Sequence, residues 1–137
     1  MDKFIADAVY LFTKSSTHCK WRLDHAYQLI VHPAKAGRAK IVYRNGRPRC
    51  FYSYMLMSPE VEESYLKHNR MFKPEDWSSN HGSLWMIDFI APFGDAYSIA
   101  RELYKELAVE FPDHDIAYSR RRSKGGHRRS FKRLKHA

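Results

Sequence analysis

Leu84-Trp85-Met86-Ile87-Asp88-Phe89-Ile90 is an apolar run with one carboxylate inside it, and Ala91-Pro92-Phe93-Gly94-Asp95 turns the chain directly afterwards. The run has the length of a strand, and its apolar residues fall on both alternating faces. That pattern predicts a central strand covered on each side. A carboxylate among such neighbours costs several kcal/mol unless a cation or donor meets it. Two kinds of partner suit Asp88. One is His18, far upstream in the polar loop Ser15-Ser16-Thr17-His18-Cys19-Lys20-Trp21. A histidine held by a buried aspartate is a general-base arrangement. The other is a set of backbone amides, which would make Asp88 a satisfied core residue.

The flanking segments supply the other elements. Residues 2–13 carry Phe4, Ile5, Ala8, Val9, Leu11 and Phe12 on one broad face, which predicts an amphipathic helix. Lys14 to Trp21 reads as a loop and Tyr27 to His32 as a strand stopped by Pro33. Ala39 to Tyr43 and Cys50 to Met55 are two further strands. Between them, Asn45-Gly46 is the strongest short hairpin signal. Ser58-Pro59-Glu60 opens a helix to about Lys67, with serine as cap and proline at the first position. His68 to Ser83 is mostly irregular, with Trp77 as its anchor. Asp95 or Ala96 opens a helix to Glu110, and Asp115 to Ser119 form a last strand. Helices around a mostly antiparallel sheet predict an α+β layer domain.

At 137 residues the chain is long enough for one domain with a real core, and 44% hydrophobic residues exclude disorder for its body. Cys19 and Cys50 form no Cys-x-x-Cys pair or disulfide framework, which suits a reducing compartment. Asp2, Lys3 and Asp7 argue against a signal peptide, and no apolar run reaches membrane-spanning length. The net charge of +9 is uneven. Arg120, Arg121, Arg122, Lys124, Arg128, Arg129, Lys132, Arg133 and Lys135 follow the last acid, Asp115. Removing these nine from the 24 Lys and Arg leaves 15 against 15 Asp and Glu. The sequence therefore divides into a formally neutral body, residues 1–119, and a basic tail, residues 120–137. Such a block is a solvated tail or a polyanion-binding one. Any order in it would come from another subunit, nucleic acid or an acidic partner.

Ser-x-x-His-x-x-Trp, Asp76-Trp77-Ser78 and the block from Trp85 to Asp95 together resemble the RTX-toxin-activating protein-lysine acyltransferases, the hemolysin C type. Arg47 to Ser58 is similar to that family's middle strand and turn. The resemblance runs from about Lys14 to Asp95. It implies a GNAT-like acyltransferase fold and a cytoplasmic, often dimeric enzyme. Such an enzyme transfers a fatty acyl group from acyl carrier protein to an internal lysine of a toxin. The family's essential histidine maps onto His18 and its essential aspartate onto Asp88. An important serine maps onto Ser15, as a donor to the acyl carbonyl or as a loop cap. A family asparagine has no match, since Leu29 and Ile30 occupy its stretch with Gln28 nearby. After Asp95 the family's longer C-terminal portion gives way to the basic tail.

The chemistry assigned to these residues is that of an amide-forming transfer. A lysine amine is protonated at neutral pH, so a base must free it. Neutral imidazole of His18 does so, with Asp88 fixing the tautomer, and an acyl-histidine is the competing role. Cys19 adjoins His18 but does not face it, and no histidine set has the spacing of a metal site, so no bound cofactor or metal is expected. No Gly-rich phosphate loop follows a strand, which favours acyl carrier protein over coenzyme A as donor. Arg38, Lys40, Arg44, Arg47 and Arg49 cluster around the hairpin and suit that acidic carrier, or form a solvated rim. Phe4, Phe12 and the tyrosine-rich strands offer apolar surface for a lipid slot or a homodimer. The rival reading is a binding or assembly protein that keeps the fold and uses its basic tail on nucleic acid, as in a phage particle or other virion component.

Overall fold

A computed structural model of the chain describes residues 1–68, 72–121 and 127–132, with 68, 119–121 and 127–132 described by backbone. Five strands lie side by side in chain order: β1 (Ala39–Arg44), β2 (Arg47–Met57), β3 (Ser83–Ile90), β4 (Ile116–Arg121) and β5 (His127–Lys132). The β3–β4 pair is parallel and the other three pairs are antiparallel. A parallel neighbour needs a crossover, and α4 (Ala96–Glu110) supplies it. The other helices are α1 (Asp2–Lys14), α2 (Leu23–Lys35) and α3 (Pro59–His68).

The side chains of β2 sort by parity, as a pleated strand requires. Cys50, Tyr52, Tyr54 and Leu56 pack with Ile99, Leu103 and Leu107 of α4. On the other face, Met55 and Met57 pack with Leu29 and Trp77, while Phe51 packs with Ala8, Leu11, Phe12 and Ile30. One helix thus covers one face, and the remaining helices cover the other. The α+β arrangement is compatible with a GNAT-like acyltransferase fold.

β3 departs from simple alternation at the point that matters for the site. Leu84 and Met86 face α4, and Trp85 and Ile87 face the opposite layer. Alternation alone would next aim Asp88 at α4. The register slips there instead: Tyr54 pairs with Met86 and Ser53 with Asp88, so Ile87 is the extra residue of a β-bulge. Beyond it Phe89 faces α4 and Ile90 packs with α1. The bulge therefore turns Asp88 toward the α1–α2 layer, the side that carries His18.

Several local expectations hold. Asn45 and Gly46 both take positive φ, 53° and 74°, as the two-residue hairpin turn demands. The Ser58 hydroxyl accepts the Val61 N–H at 3.4 Å at the start of α3. Trp77 is 1% exposed, an anchor for its irregular surroundings.

Two expectations are corrected. Tyr27 to His32 is helical, part of α2, and Pro33 lies inside that helix. Pro33 forgoes the bond its N–H would have made to the Leu29 carbonyl and its ring crowds that carbonyl, a cost that the burial of the helix's apolar residues offsets. α2 lies between two clusters, with Leu29 in one and Ile30 in the other. It therefore buries Leu29, Ile30 and Val31 in succession, a run that mimics a strand. Phe12 is buried in the core, while Phe4 packs edge-on against Phe51 and stays partly exposed. Finally, His127–Lys132 pairs with β4 of the same chain, and β4 runs across positions 119 and 120. The order of that stretch comes from the domain's own sheet. Arg122, Lys124, Arg133 and Lys135 lie outside the described residues.

Candidate active site

α1 ends at Ser15, whose extended backbone (φ −84°, ψ 126°) swings the chain away from the helix axis. A single 3-10 turn, His18–Lys20, follows. It is pinned by the Cys19 N–H on the Ser15 carbonyl at 3.0 Å and the Trp21 N–H on the His18 carbonyl at 3.1 Å. Phe12 meets the His18 ring edge-on at 5.3 Å between centroids, and Trp21 lies against it at 4.4 Å. These aromatic walls hold the imidazole plane and leave its two nitrogens for polar partners.

Both nitrogens are used. Nδ1 lies 2.7 Å from the Ser15 hydroxyl, and Nε2 lies 3.4 Å from Asp88 Oδ1. The Ser15 oxygen also accepts the His18 backbone N–H at 3.3 Å, which leaves its own proton free to point at Nδ1. A nitrogen that accepts from serine carries no proton. The network thus assigns the imidazole proton to Nε2, donating to Asp88. At 3.4 Å that bond is long, as catalytic hydrogen bonds often are before substrate closes on them.

Asp88 is held from behind. Its backbone N–H donates to the Ser53 hydroxyl at 3.3 Å across the bulge, and Ser53 is fully buried. Asp88 is 8% exposed, and its Oδ2 is buried without a hydrogen-bond partner among the described residues. Asp88 is the buried end of the series, while the His18 side chain, 15% exposed, and Ser15 are both partly exposed. Of the two partners the sequence left open for Asp88, His18 receives its carboxylate, while its amide goes to Ser53. Ser53 had no role in the sequence reading. Its signal was slight: one hydroxyl in the otherwise apolar and aromatic stretch Phe51 to Met57.

The five cations around the hairpin separate into two groups. Arg44, Arg47 and Arg49 line one pocket of about 500 Å³, together with Asn45 and Asp95. Arg44 pairs with Glu102, and Arg49 donates to Asp95 at 2.9 Å and stacks over Phe93. Arg47 has no ion pair among the described residues. Arg38 and Lys40 lie apart from that pocket. Arg38 donates to the Ser79 carbonyl at 2.9 Å and stacks on Tyr54 and Phe111, and Lys40 stands 3.9 Å from Glu110. The segment of the unmatched asparagine is helical, which places Gln28 on α2. Among the described residues no three His, Cys, Asp or Glu side chains form a group able to hold a metal ion, and no helix is long and apolar enough to cross a membrane.

A serine, a histidine and a buried aspartate in hydrogen-bonded series are a candidate site for acyl transfer. The chain belongs to the RTX toxin acyltransferase family, whose model matches residues 2–135, well beyond the segment that the motifs alone mark out. It is similar to a protein-lysine myristoyltransferase of Kingella kingae, 31% identical over 107 residues, covering 77% of this chain and 64% of the relative. A leukotoxin-activating lysine-acyltransferase of Aggregatibacter actinomycetemcomitans is 33% identical over 116 residues, covering 85% and 66%. A protein-lysine myristoyltransferase of Escherichia coli is 33% identical over 105 residues, covering 76% and 57%. The chain therefore spans less than two thirds of the length of these relatives.

Proposed function

We propose that this chain is a protein-lysine acyltransferase that moves a fatty acyl group from the thioester of acyl carrier protein to an internal lysine of a toxin-type partner protein, in the cytoplasm. The observation that carries this reading is the placement of His18 between Ser15 and Asp88, at 2.7 and 3.4 Å. The names of the relatives, lysine acyltransferases and toxin activators, support the same chemistry.

Each residue has a physical task. The target amine must lose a proton before or during attack on the acyl carbonyl, and imidazole is basic enough to take it near neutral pH. Asp88 fixes the ring through Nε2–H and offsets the positive charge that appears when Nδ1 is protonated. Phe12 and Trp21 strengthen both interactions by keeping water from the ring faces. The arginine pocket at the hairpin is the surface proposed for the acidic carrier, where charge complementarity would set register and association rate.

The test is direct. The purified chain is incubated with myristoyl-acyl carrier protein and a peptide library of internal lysines, and intact-mass spectrometry follows the acceptors. An acyl mass gain on lysine, absent with His18→Ala, supports the reading. No gain on any acceptor by wild-type protein, with the donor intact, would refute it.

A further inference from the structure

We infer that Ser15 is the acyl-accepting nucleophile, so that the acyl group rests on the Ser15 hydroxyl as an ester before it reaches lysine. The inference rests on the acyltransfer reading above and adds a covalent step to it. Three observations carry it.

The first is the use of lone pairs. With the Nε2 proton committed to Asp88, the one basic lone pair of His18 is on Nδ1, and Ser15 occupies it at 2.7 Å. An incoming amine would have to displace that hydroxyl to reach the base directly. The hydroxyl itself is already in place to be deprotonated.

The second is polarity along the chain of bonds. The Ser15 oxygen accepts the His18 backbone N–H, so an alkoxide developing there already faces a fixed donor. Among the described residues its proton has one acceptor, Nδ1, and the charge so produced on imidazole faces a carboxylate that is 8% exposed. Every bond points the same way, from Ser15 to His18 to Asp88.

The third is access. Asp88 is buried, the His18 side chain is 15% exposed and walled by Phe12 and Trp21, and Ser15 is partly exposed at the end of α1, next to the exposed Ser16 and Thr17. A substrate can reach Ser15 and the edge of His18, but not the buried carboxylate.

The steps balance without any redox partner. Ser15 Oγ attacks the thioester carbonyl carbon while its proton passes to Nδ1. The carbon–sulfur bond breaks, the departing sulfur takes that proton, and a free thiol leaves. The lysine nitrogen then attacks the ester carbon and gives its proton to Nδ1. The carbon–oxygen bond breaks, and Ser15 Oγ recovers the proton. The sum is thioester plus amine giving amide plus thiol.

The experiment uses the full chain in a Cys19→Ser background, since Cys19 is exposed and could exchange with a thioester. With myristoyl-acyl carrier protein and no acceptor, intact mass should show one acyl adduct per chain, mapping to Ser15 and stable to neutral but not alkaline hydroxylamine. Adding acceptor should discharge it. Ser15→Ala should form no adduct and lose about a hundredfold or more of transfer. Ser15→Cys should form an adduct that neutral hydroxylamine removes, a change that a purely structural serine would not produce. Lysine transfer by wild type with no adduct and no burst of thiol would overturn the inference and leave the acyltransferase reading intact. An adduct on His18 would also overturn it. An adduct on Ser15 that no lysine accepts would uphold the covalent step and refute the acceptor.

Discussion

Ser53 and Asp88 face each other across β2 and β3, and the Ser53 hydroxyl takes the Asp88 backbone N–H at 3.3 Å where the ladder is interrupted by Ile87. A side chain thus replaces the carbonyl that a regular ladder would have offered. Ser53→Ala leaves a buried N–H unpaired, which costs about 1–3 kcal/mol. The expected result is a lower urea midpoint with unchanged slope, and slower transfer because the Asp88 backbone is less firmly held. An unchanged midpoint would mean that another acceptor serves this amide.

Asp88 itself is tested by charge rather than shape. Asp88→Asn keeps the volume but can present an N–H toward Nε2, which favours the wrong imidazole tautomer. Transfer should fall by about 10²–10⁴, with far-UV circular dichroism unchanged. His18→Ala should abolish transfer altogether. Equal rates for wild type and Asp88→Asn would remove the carboxylate from the mechanism.

What the sequence showed depended on how local its signal was. The helix at residues 2–13, the Asn45-Gly46 turn, the Ser58 cap and the central strand were legible because each depends on residues a few positions apart. His18, Asp88 and Ser15 were legible through the family motifs, since no spacing rule joins residues 70 positions apart. The bulge at Ile87 was not legible. An apolar run without alternation carries no phase, so the sequence could not say which layer Asp88 faces. α2 was lost for the related reason that Leu29, Ile30 and Val31 are buried in succession between two clusters. β5 was hidden by its charge: a strand at a sheet edge needs little apolar surface, and His127-Arg128-Arg129-Ser130-Phe131-Lys132 reads as a solvated tail.

Alkaline pH should unfold the domain from its α4 face. Burial pushes the Cys50 thiol up to about 12, the Tyr54 phenol up to about 12, and the Tyr52 phenol higher still. All three belong to the cluster under α4. A group whose folded value is raised contributes stability fully present below its unfolded value and lost as pH rises through the folded one. For Cys50 that window runs from about 9 to about 12, and for Tyr54 from about 10 to about 12. Urea midpoints should therefore decline above about pH 9, and the share of tyrosinate absorbance that comes from the buried Tyr52 and Tyr54 should appear together with loss of near-ultraviolet dichroism. Ionisation of Tyr52 and Tyr54 at about pH 10.5, the ordinary phenol range, with the fold intact would contradict the burial argument.

Gly82 permits the close passage of the segment before β3 over the end of β2. Its φ is +117°, and a Cβ there would lie 2.0 Å from the Met57 carbonyl oxygen. Backbone rather than a flexible side chain is in the way, so the strand ends would have to separate. Gly82→Ala should destabilise by roughly 2 kcal/mol or more, combining strain at φ with the clash. A thermal midpoint equal to wild type would show that the turn relaxes freely.

The arginine pocket makes a prediction about carrier recognition that separates its three cations. Arg49 is tied to Asp95 and Arg44 to Glu102, so reversing either disturbs the domain as well as its surface. Arg47 has no ion pair among the described residues and sits on the hairpin rim. Arg47→Glu should therefore leave the unfolding midpoint unchanged while slowing association with acyl carrier protein by about tenfold at low ionic strength. The difference should shrink as salt is raised, because rim charges are screened over about 10 Å at 0.1 M. Stopped-flow association at two salt concentrations measures both effects. A rate unaffected by the reversal at low salt would move the carrier surface away from this hairpin, and the search would pass to the separate Arg38 and Lys40 surface beside Glu110.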